Sequence, residues 1–244
     1  MRVTLAIAWR ELVAYFSTPL AYVFIVAFLA AAGAAPFYFG GFMERRQADL
    51  TPFFSFHPWL FLVLIPAVGM RLWAEERRLG TVELLMTLPI STWQAVTGKF
   101  IAAWLFIAVN LALTFPIWIS VNYLGDPDNG VIAASYLASL LMGGALLAVA
   151  SCVSALTKSQ VIAFVFGVAA GFVLMMSGLD LVLNLFTGWA PRYVVDLIAS
   201  FSFLTHFDSV ARGVLDLGAI VFFISIIVLF LFINRQVVEL RKAA

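Results

Sequence analysis

The chemistry-bearing residues of this chain include a fragment of a nucleotide-binding motif, Gly98-Lys99-Phe100. A P-loop has the pattern G-x-x-x-x-G-K-[ST], because glycine amides hold the phosphates while the lysine and the hydroxyl contact the terminal phosphate and magnesium. Here Trp93 stands at the position of the first glycine, and Phe100 replaces the hydroxyl. The sequence therefore excludes ATP hydrolysis by a P-loop within these 244 residues.

Other residues that could carry catalysis or bind a metal are sparse. The chain contains two histidines, His57 and His206, and one cysteine, Cys152, and it has no H-E-x-x-H motif. The stretch MMSG at 175–178 lacks the first glycine of the G-x-S-G motif of an intramembrane protease. For His206, close to Asp208, we favour interfacial hydrogen bonding over a proton relay or a metal site. We therefore expect no enzymatic activity, cofactor or metal in this chain.

The composition indicates a membrane protein. Hydrophobic residues make up 64% of the chain and charged residues only 11%, and the mean hydropathy is +1.07, well outside the range of soluble domains. About 20 apolar residues suffice for a helix to cross the hydrocarbon core of roughly 30 Å. Six segments meet this criterion and predict an all-α membrane protein with a single domain over residues 1–244: 19–42, 57–73, 97–122, 131–156, 161–183 and 215–233.

The distribution of basic residues predicts the orientation of these spans. With six spans both termini lie on one side, which then carries most of the 14 lysines and arginines: Arg2, Arg10, Arg71, Arg77, Arg78, Lys99, Lys158, Arg235, Arg241 and Lys242. The other side has Arg45, Arg46, Arg192 and Arg212. Because lysine and arginine accumulate in cytoplasmic loops, we expect both termini in the cytoplasm.

The N-terminal segment predicts an additional helix before the first span. Residues 2–17 place Arg10, Glu11 and Ala14 on a narrow stripe among apolar residues, which is typical of an amphipathic helix at the cytoplasmic interface. The alternative is a simple extension of the first span, but Pro19 favours a break between the two helices.

The last external connector, residues 184–214, is long and rich in apolar residues. Water is a poor solvent for such a segment, and irregular backbone at membrane depth must be covered by protein. We therefore expect re-entrant helices before the sixth span, around 191–200 and 207–213.

The connector between the second and third spans, residues 74–96, is long enough to form a helix of its own. We expect a helix with Thr81 as its N-cap that is ended by Pro89. Its apolar face would consist of Leu84, Leu85 and Leu88. Because this face would be exposed in a free loop, it should be covered either by a partner protein or by the chain's own helices and lipid headgroups.

The segment ERRLGTVELLMTLPIS, Glu76 to Ser91, resembles the coupling-helix signature of ABC-2 type exporter permeases. The positions to which the resemblance assigns the contact with an ATPase are Glu76, Gly80, Thr81, Glu83, Leu84, Leu85, Leu88 and Pro89. The resemblance extends over essentially the whole chain and implies a permease subunit in the lipid bilayer. A separate ATPase subunit, which holds ATP and Mg²⁺, would drive export or mechanical transmission across the membrane. A second permease chain, identical or different, would complete the pore.

Two further stretches, RELVAYFSTPLAYVF at 10–24 and THFDSVARGVLDLGAIVFF at 205–223, resemble the permease of the gliding-motility-associated type. This subtype implies the inner membrane of a prokaryote and a partner membrane protein with a large extracytoplasmic domain. Nitrous-oxide-reductase maturation permeases and drug or polysaccharide export permeases are near alternatives. A non-transporting anchor or mechanotransducing subunit would have the same sequence features, and no nucleic acid is expected as a partner.

Overall fold

The computed structural model describes residues 2–41, 49–81, 90–187, 190–211 and 216–242 of the chain. Within these ranges all regular secondary structure is helical, which confirms the expected all-α class. The helices, in chain order, are α1 (Arg2–Phe16), α2 (Pro19–Tyr38), α3 (Thr51–Ser55), α4 (His57–Gly69), α5 (Arg71–Leu79), α6 (Thr92–Ala112), α7 (Phe115–Leu124), α8 (Asn129–Leu156), α9 (Gln160–Met176), α10 (Asp180–Thr187), α11 (Arg192–Ser200), α12 (Phe203–Ala211) and α13 (Leu217–Lys242).

Several helical segments are long and apolar enough to cross a membrane. The five unbroken ones in the described residues are Pro19–Tyr38, His57–Leu79, Thr92–Leu124, Asn129–Leu156 and Leu217–Leu240. Two bent pairs meet the same criterion together, α9 with α10 and α11 with α12, at bends of 85° and 58°. The described part of the chain thus contains five to seven candidate spans and is a multi-pass membrane protein, while the specific number of six stays a prediction.

The predicted span 161–183 differs from the observed helix. α9 ends at Met176, and α10 leaves at an angle of 85°. Between them Gly178 lies so close to Ser202 that a Cβ on this glycine would come within 2.4 Å of the serine side chain. Residues 161–183 therefore do not form one straight helix despite their apolar composition, because a tertiary contact at Gly178 sets the direction of the chain.

Helix α8 is the centre of the bundle. It packs against α4, α5, α6, α9, α12 and α13. Small residues bring α4 and α8 together, since a Cβ on Gly69 would lie 2.7 Å from the Cβ of Ala150. At the other end of α4, His57 contacts Ser139, so α4 and α8 run in the same direction.

The helices around α8 alternate in direction. α13 is parallel to α8, because Ile227 lies against Gly144 while Asn234 hydrogen-bonds to Ser151 further along both helices. α9 is antiparallel to α4, which follows from two pairs of neighbours: Gly167 with Pro66 and Gly171 with Leu62.

α1 is a separate helix rather than an extension of α2. The chain adopts extended geometry at Thr18, with φ −105° and ψ 136°, and α2 begins at Pro19. α1 lies along α6, where a Cβ on Gly98 would come within 2.8 Å of the Ile7 side chain. The large apolar side chains that α1 leaves exposed are Val3, Leu5, Trp9 and Val13. The location of α1 at a membrane interface stays a prediction.

Helices α11 and α12 correspond to the predicted helices at 191–200 and 207–213. The second begins earlier than expected, at Phe203, because Ser202 Oγ accepts a hydrogen bond from the Thr205 amide (3.3 Å) and so caps the first turn. Their re-entrant placement in a membrane stays a prediction.

Candidate functional site

Two glutamates and a lysine from three helices meet at one end of the bundle. The Lys99 ammonium lies 2.7 Å from Glu76 Oε1 and 3.3 Å from Glu11 Oε1, which joins α6 to α5 and α1. Arg10 adds a second contact to Glu11, at 2.8 Å. Only 2% of the Lys99 side chain is exposed, so its charge depends on these carboxylates rather than on water. We call Glu11, Glu76 and Lys99 the ion triad.

The pKa of Glu11 reflects the electrostatics of the ion triad. Burial by itself raises the pKa of this carboxyl, but the attraction of Lys99 and the hydrogen bonds from Arg10 and Lys99 outweigh burial. The net pKa of Glu11 lies below its ordinary value of 4.5, so this residue is ionised at neutral pH. The Lys99 ammonium also lies 5.5 Å from the centre of the Trp73 ring, an arrangement that favours a cation.

The local sequence places Lys99 inside a helix. α6 begins at Thr92 after a capping box, in which Ser91 Oγ accepts from the Gln94 amide while the Gln94 side chain accepts from the Ser91 amide. Lys99 consequently lies about two turns into α6. An ammonium at this depth in an apolar helix needs carboxylate partners, and Glu11 and Glu76 provide them.

A hydroxyl group of α8 bonds to the junction between α4 and α5. Ser154 Oγ donates a hydrogen bond to the Met70 carbonyl (2.8 Å) and accepts from the amides of Trp73 (3.2 Å) and Ala74 (3.0 Å). These amides belong to the first turn of α5, which has no side-chain cap of its own. α5 is thus fastened to α8 on one face and to Lys99 on another.

The structure describes three of the residues to which the resemblance assigns the ATPase contact. Glu76 points to Lys99 as a member of the ion triad. Gly80, with φ 71°, ends α5 in the left-handed conformation that favours glycine. Thr81 Oγ1 donates a hydrogen bond back to the carbonyl of Glu76 (3.3 Å).

The remaining residues of the predicted coupling helix fall in the 82–89 segment, outside the described residues. They are Glu83, Leu84, Leu85, Leu88 and Pro89. Their role and the helix itself stay predictions. What the structure describes is the two flanks of this segment, the end of α5 and the start of α6.

Sequence reasoning missed Lys99 and Glu11 as members of this site. The predicted third span begins at residue 97, which places Lys99 beside a loop. In the structure α6 begins at Thr92, so Lys99 lies further inside the helix. The available signal was the position of Lys99 within an otherwise apolar run, since a buried lysine requires an acidic partner. The identity of that partner needed the tertiary structure, because Glu76 is 23 positions away and on another helix.

The opposite end of α8 carries a buried histidine in a neutral environment. His57 is fully buried, and its Nδ1 lies 2.8 Å from Ser139 Oγ. Since Ser139 donates its own hydrogen to the Ser135 carbonyl (2.8 Å), Nδ1 carries the imidazole hydrogen. The ring is surrounded by Phe28, Phe53, Phe54 and Phe61, at centroid distances from 4.6 to 6.1 Å. This arrangement makes His57 a packed structural residue.

His206 lies in a different setting, in the short helix α12 and against the first turns of α13. Its Nε2 is 3.0 Å from the Ser200 carbonyl, and its ring stacks on Phe222 with a centroid distance of 4.0 Å. These contacts agree with the hydrogen-bonding interpretation. Cys152 is buried and has a free thiol, as expected of a packing residue.

Most of this site lies in a region that matches a known protein family. The sequence model of the family described as ABC-2 family transporter protein matches residues 47–234, which is more than half of the chain. The match includes Glu76, Lys99 and the 82–89 segment, while Glu11 precedes it. No curated protein matches the chain. The match is to the family as a whole and gives no support to the gliding-motility-associated subtype.

Proposed function

The chain belongs to the ABC-2 transporter family, and on this premise we propose that it is a permease subunit that couples ATP hydrolysis by a separate ATPase subunit to movements of its own helices. ATP and Mg²⁺ would bind to that ATPase, since Trp93 and Phe100 interrupt the P-loop-like stretch of this chain. The observation that carries the proposal is the ion triad, which joins both flanks of the 82–89 segment to each other and to α1.

The ion triad would make the two flanks of the 82–89 segment move together. α5 ends at Leu79 shortly before this segment, and α6 begins at Thr92 shortly after it. Glu76 and Lys99 are 2.7 Å apart and largely withdrawn from water, so separating them would leave charges unpaired in an apolar environment. A force that the ATPase exerts on the segment would therefore displace α5 and α6 together.

The force has two further paths into the bundle. Glu11 connects the ion triad to α1, and Ser154 connects α5 to the central helix α8. Because α8 packs against most of the other long helices, a displacement of α5 would reach the centre of the bundle. These hydrogen bonds and ion pairs form a contiguous network, which is the kind of path that carries mechanical coupling.

The arrangement in the membrane follows from the same proposal. Residues 1–244 would form one transmembrane domain with six spans, α9 being the fifth, and α10 to α12 would be re-entrant. The alternating directions of α4, α9 and α13 support this arrangement. The basic residues would place both termini and the 82–89 segment in the cytoplasm of a prokaryotic cell. A second permease chain, in a homodimer or a heterodimer, would match a pair of ATPase subunits.

The coupling role can be tested with substitutions in the 82–89 segment. We expect Leu84→Asp or Glu83→Arg to reduce co-purification of an ATPase that carries a Walker A motif, or to reduce the ATP hydrolysis rate of the purified complex. Leu124→Asp is the matched control, because Leu124 is an exposed leucine at the far end of α7. All variants should insert into the membrane to the same extent as the wild type.

Unchanged ATPase association and unchanged hydrolysis in both segment variants would contradict the proposal. Export and mechanical transmission require a separate experiment, in which the complex is reconstituted in vesicles and supplied with ATP. Movement of a solute or lipid across the bilayer would support export, and hydrolysis without such movement would support a mechanotransducing subunit.

A further inference from the structure

An apolar groove of about 720 Å³ opens on the surface between α8, α9 and α13. Its walls include Val149 and Val153 of α8, Phe166 and Val173 of α9, and Phe230 of α13. The described residues that line it include no charged side chain. The volume falls within the range of roughly 300–1,000 Å³ that is typical of sites for small ligands. The groove therefore has the size and the lining of a site for a hydrocarbon chain.

A basic residue directly follows one end of the groove lining in the chain. The lining reaches Thr157, directly after α8, and Lys158 follows it with an exposed side chain. Within the part of the chain that the structure describes, no carboxylate lies at ion-pair distance from Lys158. Arg77 reaches the same end of α8 through a hydrogen bond to the Ala155 carbonyl. The N-terminal end of α9, with its partial positive charge, begins close by at Gln160.

We infer that the groove binds an acyl chain of an anionic phospholipid whose headgroup phosphate lies at Lys158. The apolar walls match the hydrocarbon chain, and the lysine at the mouth matches the charge of the headgroup. A lysine at the end of an apolar helix can also extend its ammonium to headgroup level. The charge at the mouth favours an anionic lipid over a zwitterionic one with the same chains. The site is independent of the ATPase proposal and requires only that the chain spans a membrane.

Native mass spectrometry of the detergent-purified chain with added lipid tests the headgroup part of this inference. Phosphatidylglycerol should remain bound in preference to phosphatidylcholine with identical acyl chains. Lys158→Gln should weaken phosphatidylglycerol binding roughly fivefold, as expected for one basic residue at a membrane surface. Lys158→Arg should restore it. Arg192→Gln is the control, since Arg192 is exposed on α11, away from the groove.

A second variant tests the groove itself. Ala169→Trp would fill the groove at an exposed position of its lining, and it should abolish the retention of phosphatidylglycerol while leaving Lys158 in place. Wild-type retention of the lipid in both Lys158→Gln and Ala169→Trp would overturn the inference.

Another copy of the chain is the competing occupant of the groove. In a Cys152→Ala background, Ala169→Cys should form no disulfide between chains in native membranes if lipid occupies the groove. Efficient cross-linking between two chains, with no retained phosphatidylglycerol, would instead identify the groove as an interface between copies.

Discussion

The two ends of the central helix α8 are built from different chemistry. One end, which we call the connector end, combines charges and backbone hydrogen bonds; it comprises Ser154, Ala155, Arg77 and the ion triad. The other end, which we call the aromatic end, combines stacked rings and hydroxyl groups; it comprises His57, Ser139, Tyr136, Phe53 and Phe54. The charged contacts lie where the 82–89 segment attaches.

This difference indicates that the two ends of α8 have different mechanical roles. Buried ion pairs depend strongly on both partners, because the loss of one leaves an unpaired charge in a medium of low polarity. Aromatic packing is spread over many weak contacts and tolerates the loss of one polar group. We therefore expect the connector end to move as a unit when the ATPase exerts a force on the 82–89 segment. The aromatic end should keep its packing during this movement.

The largest effect is expected from Lys99→Met at the connector end. The substitution leaves Glu11 and Glu76 without their cation, and breaking a buried ion pair in this way costs roughly 3–5 kcal/mol. Because these carboxylates remain 18% and 21% exposed, we expect about 3 kcal/mol, near the lower limit. Thermal unfolding in detergent measures the loss. Lys158→Met is the matched control at an exposed lysine, and equal unfolding midpoints for the two variants would contradict a structural role for the ion triad.

A smaller loss, about 2 kcal/mol, is expected from Ser154→Ala. The variant removes the acceptor for the amides of Trp73 and Ala74 and the donor to the Met70 carbonyl, and each buried polar group left unpaired costs roughly 1–3 kcal/mol. Ser120→Ala serves as the control, because its hydroxyl bonds to the Pro116 carbonyl at an exposed site. If both variants unfold at the same temperature, the junction between α4 and α5 does not depend on its hydrogen bonds to α8.

At the aromatic end, His57→Phe should change stability by less than about 1 kcal/mol. The variant loses the hydrogen bond to Ser139, but it also removes Nε2, a buried atom with no partner in the described residues. Ser139 keeps its bond to the Ser135 carbonyl, and a phenylalanine ring can still stack among the neighbouring rings. Thermal unfolding beside Lys99→Met provides the comparison. A loss as large as that of Lys99→Met would show that the aromatic end also depends on a polar contact.

The smallest expected effect is the pH dependence that Glu11 gives to the stability of the fold. Since the folded-state pKa of Glu11 is lowered, its contribution to stability is full above its ordinary pKa of 4.5 and is lost as the pH falls through the lowered value. The difference in unfolding temperature between wild type and Glu11→Gln should therefore be constant near neutral pH and shrink below 4.5. A difference that shrinks above this value would mean that Glu11 is not held ionised by Lys99.

The helices were predictable from the sequence to a greater extent than the contacts between them. The predicted span 131–156 agrees closely with Asn129–Leu156, because a long apolar run in a membrane protein has few alternatives to a helix. The predicted span 161–183 was wrong beyond Met176, because Gly178 packs on Ser202 and the chain turns there. The break before Pro19 was predictable from the backbone restriction of proline.

The candidate site shows the same limit. Glu76 was identified by its position in a family-like segment, yet its partner Lys99 was assigned to the edge of a loop. The capping box at Ser91 moves the start of α6 back to Thr92, and this places Lys99 within the bundle. Pairing between helices is a property of their packing, so no spacing rule along the chain identifies Glu11 as the third member.

The sequence by itself determined that this protein crosses a membrane several times as helices, because apolar runs of this length can satisfy their backbone groups in lipid only by helical hydrogen bonding. It also located the segment between α5 and α6 where a partner is expected. Only the tertiary structure decided which charges meet, where the helices bend and which helix is central. These features depend on side chains that are distant in the sequence and come within about 3 Å of one another only after the helices pack.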